Sequence, residues 1–249
     1  MAENLLEVFE LHKRYGALVV TDGVSLALAP HSIHAVIGPN GAGKTTLIHQ
    51  IFGTVRPDAG RIVLGGHDVT RMAPHRRARL GLARSFQITS VLPEFTVLEN
   101  VALAVLGGHG STLRMVRPMA REARLNDPAM AVLHRVGLTG RGASLAGALS
   151  HGEKRQLELA LALAAEPRVL LLDEPLAGAG PEEAERLIGL LRTLRADCGI
   201  LLVEHDMDAV FQLADEISVL SQGRVIARGP PAAIRADAAV RAAYLGEDF

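Results

Sequence analysis

Cysteine is nearly absent: Cys198 stands alone in 249 residues. A single thiol cannot close an internal disulfide, which fits a reducing compartment, and Cys198 itself reads as a small residue ahead of a strand. Net charge is missing too, at −1, so there is no global basic field to hold nucleic acid. No apolar run reaches the roughly 18 residues that a membrane span needs. The opening Met1-Ala2-Glu3-Asn4 lacks the basic-then-apolar layout of a secretion signal. Long repeats, low-complexity tails and heptads are also lacking. These absences point to a cytosolic globular chain and leave open membrane attachment through partners. Apolar side chain is plentiful, at 49%, enough for a large core in one two-lobed unit or two small domains.

The pattern along the chain is α/β with an interruption. The N-terminal stretch alternates in strand fashion, with turn residues at Tyr15-Gly16 and Asp22-Gly23. Ser32 to Ile37 reads as a strand, Thr46 to Ile51 as a helix ending near Phe52-Gly53, and Arg61 to Leu64 as a strand after the Pro57–Gly60 turn. From about Thr96 to Ala165 the pattern is mainly helical, opened by the capping box Thr96–Glu99, with Gly107 to Asn126 its least regular part. The unbroken apolar runs Val169–Leu172 and Gly199–Val203 flank a helical Pro181–Arg195, a βαβ crossover. Ile217 to Ala227 reads as a hairpin turning at Gln222-Gly223.

Chemistry concentrates in a few places. Gly38-Pro39-Asn40-Gly41-Ala42-Gly43-Lys44-Thr45 matches the phosphate-binding loop G-x-x-x-x-G-K-[ST] throughout. Its glycines let the backbone fold into a nest of N–H donors. Lys44 adds a point charge for the β- and γ-phosphates, and the Thr45 hydroxyl is placed for Mg²⁺. A strand before the loop and a helix after it, beginning around Thr46, put the phosphates at a helix N-terminus. This pattern implies binding of a nucleoside triphosphate.

Asp173-Glu174 follows a buried strand, where ligands sit in open α/β sheets. There Asp173 suits the Mg²⁺ shell and Glu174 the polarisation of an attacking water. His205 ends the next apolar strand and suits a γ-phosphate contact. Ser150 and Glu153, in Leu149-Ser150-His151-Gly152-Glu153, form a second capping box, so a helix starts there. With Gly152 in its first turn, that helix offers donors for an anion that a second subunit could supply. Arg71, Arg76, Arg77, Arg79 and Arg84 cluster around a helix start at Pro74 and read chiefly as a solvated face, with a membrane or partner role as the lesser reading.

Taken together these residues resemble the ATP-binding cassette (ABC) ATPases over essentially the whole chain. Gly38–Thr45 resembles the Walker A loop, Val169–Glu174 Walker B, and Leu149–Glu153 the Leu-Ser-Gly-Gly-Gln signature. Gln87 lies at the Q-loop glutamine, a nucleotide and metal contact in the family; His205 lies at the switch histidine, and Tyr15 at the aromatic that stacks on adenine. The resemblance implies a P-loop core with a parallel sheet, an antiparallel N-terminal β subdomain and a helical insertion lobe. Residues 1–249 would form one ATPase domain, with 1–87 and 166–249 the core and 88–165 the helical lobe. It further implies ATP with Mg²⁺, a head-to-tail dimer with itself or a sister ATPase, and integral-membrane permease subunits contacted through Gln87 and Ile88 to Phe95. A substrate-binding protein would act at one remove, and the chain would sit on the cytoplasmic face of the cell membrane.

Within the family the chain is most similar to the uptake ATPases for branched-chain amino acids and related amides or urea. This rests on Ala83-Arg84-Ser85-Phe86-Gln87, the His151-containing signature, Val203-Glu204-His205-Asp206-Met207 and the ending Ala243 to Glu247. That ending also resembles lipopolysaccharide-export ATPases, so an exporter remains the alternative, and a non-transport ABC ATPase a more distant one. Two positions depart from the general pattern. His151 replaces the first signature glycine, which puts a side chain near a sandwiched nucleotide. Gly180 stands where the D-loop usually has Asp or Asn, which bears on communication between subunits rather than on nucleotide binding.

Overall fold

The computed structural model describes residues 4–85, 91–108 and 123–240, and it is built on two sheets. In the smaller one, β1 (Leu6–Tyr15) and β2 (Leu18–Leu28) form an antiparallel hairpin. Strand β4 (Ala59–Leu64) pairs with the other edge of β1, and the short β5 (His67–Asp68) lies outside it. The hairpin turns after Tyr15, as expected. Asp22-Gly23 does not turn the chain: both residues lie inside β2, where Gly23 adopts φ +73° beside a register shift. A bulge needs the same left-handed backbone as a turn, so the sequence signal was real but its geometry different.

The larger sheet runs β10-β9-β3-β8-β7-β6. Its members are β3 (Ile33–Ile37), β6 (Leu82–Arg84), β7 (Val169–Asp173), β8 (Gly199–Val203), β9 (Glu216–Ser221) and β10 (Arg224–Gly229). All pairings are parallel except β9–β10, the hairpin that turns at Gln222-Gly223 with both residues at positive φ. Every residue of β3, β7 and β8 is buried, as their unbroken apolar runs require.

Helix α1 (Lys44–Phe52) covers one face of this sheet, its Leu47, Ile48 and Ile51 packed with Val169, Leu171 and Leu201. The opposite face meets a helical group: α3 (Val97–Gly108), α4 (Ala123–Arg135), α5 (His151–Leu163) and α6 (Pro181–Leu194). Leu170 and Leu172 of β7 lie in one apolar cluster with Val101, Leu133, Leu157 and Leu191 of those helices. Each such aliphatic side chain contributes about 1.5–3 kcal/mol by leaving water. Both capping boxes form, Thr96 with Glu99 and Ser150 with Glu153. Ala123 to Asn126, read as irregular, belongs to α4.

The arginine cluster divides. Arg71, Arg76 and Arg79 are exposed as expected, but Arg77 and Arg84 are buried. Helix α2 (Pro74–Arg79) turns Arg77 inward, where its guanidinium donates to the carbonyls of Gln50 and Ile51 at the end of α1 and to those of Thr70 and Met72. Burial pulls Arg77 down to about 10, so it stays charged at neutral pH. It completes a helix C-terminus whose carbonyls would otherwise be orphaned.

Candidate functional site

Strands β3, β8 and β7 are neighbours and run parallel, so their carboxyl ends lie side by side. The register aligns Val36 with Val203 and Val203 with Asp173. The chain therefore leaves the sheet at one level as the phosphate loop, as Glu204-His205 and as Glu174. Three sequence motifs that lie far apart in the chain meet along this edge.

The loop from Gly38 to Gly43 is wedged between β2 and the β9–β10 hairpin. A Cβ on Gly38 would lie 2.0 Å from the Leu220 carbonyl oxygen, and one on Gly43 2.3 Å from that of Val20. Between them, the Pro39 carbonyl accepts from the Ala42 N–H at 3.2 Å and the Ala42 carbonyl from the Gly223 N–H at 3.0 Å. Asn40 and Gly41 form the exposed rim. Helix α1 starts from Gly43 with no side-chain cap and no acid in its first turn, leaving its first N–H groups and its dipole to an anion. Thr45 is exposed and Thr46 half-buried just inside that start. The Lys44 ammonium is buried and donates to the Gly38 and Pro39 carbonyls at 2.6 and 3.1 Å. Burial lowers its pKa, opposed by the charges of Glu174 and Asp173. Triphosphate oxygens entering the nest would be stronger acceptors than those two carbonyls.

Asp173 is buried at the end of β7, with its Oδ2 3.0 Å from Nη2 of Arg84. Burial raises its pKa and Arg84 opposes that rise. Asp173 Oδ1 has no hydrogen-bond partner among the described residues. Glu174 follows in a left-handed conformation, φ +50°, which turns the chain off the strand and costs a non-glycine residue strain of a kind often found at functional sites. The His205 ring Nδ1 is 4.0 Å from Glu174 Oε1 and 3.6 Å from Glu204 Oε2, and its side chain is 56% exposed. Tyr15, at the end of β1, is half exposed, with the Lys13 ammonium 5.4 Å from the ring centroid.

The Leu149–Glu153 segment forms the N-terminus of α5. Ser150 Oγ accepts from the Glu153 N–H, and Glu153 Oε2 accepts from the Ser150 N–H, while its Oε1 accepts from Arg141 at 2.6 Å. Gly152 is packed so closely that a Cβ there would meet the Glu183 carboxylate at 2.9 Å. His151 lines a cavity of about 520 Å³ together with Asp173, Glu174 and Arg155 of its own chain. At the D-loop position, Gly180 is the N-cap of α6 with open space around it. Gln87 lies outside the described residues, as do Ile88 to Ser90 and the 243–249 ending.

Sequence reasoning missed the roles of three residues that organise this edge. Glu204 is fully buried, and its carboxylate accepts from the Leu176 N–H at 2.7 Å and the His205 N–H at 2.9 Å, joining the turn after β7 to the turn after β8. Arg155 of α5 donates to the Ala177 carbonyl and lies 3.2 Å from Glu183, tying the signature helix to the same turn. Arg84 holds Asp173. Only the adjacency of Glu204 to His205 was a usable signal.

Comparison with known proteins agrees with this geometry. Residues 21–177 match the ABC transporter family and residues 224–249 the branched-chain amino acid ATP-binding cassette transporter family. The chain is 38% identical to the high-affinity branched-chain amino acid transport ATP-binding protein BraF of Pseudomonas aeruginosa, over 99% of this chain and 100% of that one. It is 37% identical to LivG of Escherichia coli K12, which carries the same description, over 99% and 100%. It is also 38% identical to the lipopolysaccharide export system ATP-binding protein LptB of Acidithiobacillus ferridurans, over 99% and 98%. Among solved structures, a nucleotide-free ATP-binding cassette from an ABC transporter superposes with a TM-score of 0.85 at 28% identity, covering 98% of this chain and 100% of that one. No described helix is long and apolar enough to cross a membrane. The chain belongs to the ATP-binding subunits of ABC transporters and is the ATP-hydrolysing member of such a system.

Proposed function

We propose that this ATPase energises an importer of branched-chain or other hydrophobic amino acids or related amides. The match of residues 224–249 to the branched-chain family carries this reading, because it lies outside the general ATPase motifs. The exporter alternative rests on the similarity to LptB.

In the proposed mechanism the loop Gly38–Thr46 cradles the triphosphate and Tyr15 stacks on the base. Lys44 leaves the loop carbonyls to neutralise β- and γ-phosphate charge. Thr45, Asp173 and Gln87 would hold Mg²⁺, whose charge would offset the negative charge on the transferring phosphoryl group. The donor set fits: Asp173 Oδ1 is a buried carboxylate oxygen without a hydrogen-bond partner among the described residues. Mg²⁺ typically takes one or two protein oxygens and completes its shell with water and phosphate. Glu174 orients the attacking water and accepts its proton as the new P–O bond forms and ADP leaves. His205 steadies the γ-phosphate, and Glu204 fixes its backbone.

Ser150, Gly152 and Glu153 would face the γ-phosphate held by a second ATPase subunit, a copy of this chain or a sister. Glu153 contributes through the cap, since its own carboxylate is spent on Ser150 and Arg141. Closure of that sandwich would move the helical lobe, residues 88–165, and with it a permease. Leu92, Phe95 and Leu145 are exposed apolar side chains near the junction, with Thr96 bridged to Leu145, and they suit that contact.

The test uses tagged Glu174→Gln protein. Steady-state ATPase should fall by about 100-fold or more with ATP affinity retained. Mild-detergent purification with ATP should recover two permease chains. Wild-type turnover would overturn the role of Glu174, and recovery of export components would favour the alternative.

A further inference from the structure

Arg84 is placed where no general nucleotide-binding motif calls for a cation. It is the last residue of β6, opposite Leu171 in the parallel ladder. Residues paired in this way project to the same face, and so does Asp173, two positions further along β7. That face is the one covered by α1, and the Arg84 guanidinium lies 5.9 Å from the Phe52 ring there. The Arg84 and Asp173 side chains are 7% and 0% exposed, so neither charge can be answered by bulk water.

The contact between them is single. One nitrogen, Nη2, meets one oxygen, Oδ2, at 3.0 Å. Arginine and aspartate commonly pair through two parallel hydrogen bonds. Here the second acceptor, Asp173 Oδ1, and the second donor, Arg84 Nε, are buried without partners, and they are the only such side-chain atoms among the described residues. A buried polar atom left unpaired in this way calls for an explanation, of which an ion is one. Asp173 ends β7 in register with Val203, and Val203 with Val36, the level at which the phosphate loop leaves the sheet.

We propose that Arg84 is a positioning residue of the Mg²⁺ site: by holding Asp173 through Oδ2 alone, it fixes the carboxylate so that Oδ1 is presented to the metal and its water shell. This rests on the reading above that Asp173 serves Mg²⁺. The guanidinium compensates the buried carboxylate without occupying the oxygen the metal needs. A lysine could supply charge but not the planar, directed donor that sets the carboxylate's rotation. Removing such outer partners typically costs about 10- to 100-fold in metal affinity.

The experiment measures the affinity of a fluorescent ATP analogue with Mg²⁺ and in EDTA, for wild type, Arg84→Met, Arg84→Lys and Asp173→Asn. The ratio of the two affinities reports how strongly metal and nucleotide are coupled, independently of turnover. Affinity in EDTA checks that the phosphate loop is intact. Arg84→Met should lower the ratio by about tenfold, with Arg84→Lys between it and wild type. Should the methionine variant not fold, the lysine variant carries the test, since it keeps the buried charge. A wild-type or higher ratio in every folded Arg84 variant, with Asp173→Asn lowered, overturns the proposal and leaves the Asp173 reading standing. A wild-type ratio in Asp173→Asn overturns that reading itself.

Discussion

Helix α1 begins at Gly43 with no side chain capping it and no acid in its first turn; helix α5 begins at Ser150, closed by a capping box and followed by Glu153. Both starts are assigned to phosphate, one to the chain's own nucleotide and the other to a partner's. Their construction differs accordingly. At α1 no side chain of the first turn takes up the donors or the dipole, and Lys44 donates to the Gly38 and Pro39 carbonyls beside them. At α5 the protein has brought its own anions: the Glu153 carboxylate closes the cap and Glu183 packs against Gly152, with Arg141 and Arg155 paired to them. On the proposed reading, the first terminus would be completed by ligand. The other is stable alone, so its γ-phosphate contact would add to an already satisfied helix start.

If this contrast is right, the two starts should fail differently. Gly43→Ala should do the greater damage. Its Cβ would fall 2.3 Å from the Val20 carbonyl oxygen at φ +104°, and backbone must move to admit it. Nucleotide affinity should drop by about 100-fold or more, read by titration with a fluorescent ATP analogue. A loss of less than about threefold would mean that the loop is not held as rigidly as its walls imply.

Ser150→Ala should have a smaller and divided effect. Loss of the cap should reduce stability by about 1 kcal/mol in denaturant unfolding. Nucleotide affinity of the isolated chain should be unchanged, because α5 is not its own phosphate site. Turnover in the assembled transporter should fall by about tenfold, less than the roughly 100-fold or more for losing one donor aimed at a developing charge, because the backbone donors of the α5 start remain. Weakened binding in the isolated chain would break the comparison, since both helix starts would then serve one nucleotide.

What the sequence revealed follows the same division between local and distant causes. The phosphate loop was legible as a pattern because Gly38, Gly41 and Gly43 all need positive φ and Lys44 and Thr45 follow them at fixed spacing. The capping boxes at Thr96 and Ser150 were legible because both partners lie three residues apart. Strands β3, β7 and β8 were legible as unbroken apolar runs. Arg77 and Arg84 were misread with their neighbours as a solvated face, because what buries them is remote: Arg77 answers carbonyls of α1, and Arg84 meets a carboxylate 89 positions away. Glu204 was seen only as the residue before His205, since its partner Leu176 comes from a different turn. Asp22-Gly23 gave the right backbone conformation and the wrong topology, because turns and bulges draw on the same residues.

The smallest predicted difference between the two helix starts appears with acid. The Ser150 N–H, and after it Arg141, hold the Glu153 carboxyl below its ordinary value of 4.5. A carboxyl whose pKa is lower when folded contributes stability above its unfolded value and loses it as pH falls through the folded one. Glu153→Gln keeps a cap acceptor but has no charge to lose. The stability difference between wild type and this variant should therefore be constant near neutral pH. It should shrink below about pH 4.5. Its size should be about 0.5 kcal/mol, since the pair with Arg141 is largely solvated. Burial also lowers the pKa of His34 inside β3, so stability drains away as pH falls below about 6.5 and that ring is driven to charge. That loss is common to wild type and variant and cancels in the difference, which isolates the α5 cap. Helix α1 has no acid in its first turn, so the same measurement on Thr46→Ala should give a difference independent of pH. A difference that grew on acidification for Glu153→Gln would mean that its carboxylate opposes the α5 start rather than completing it.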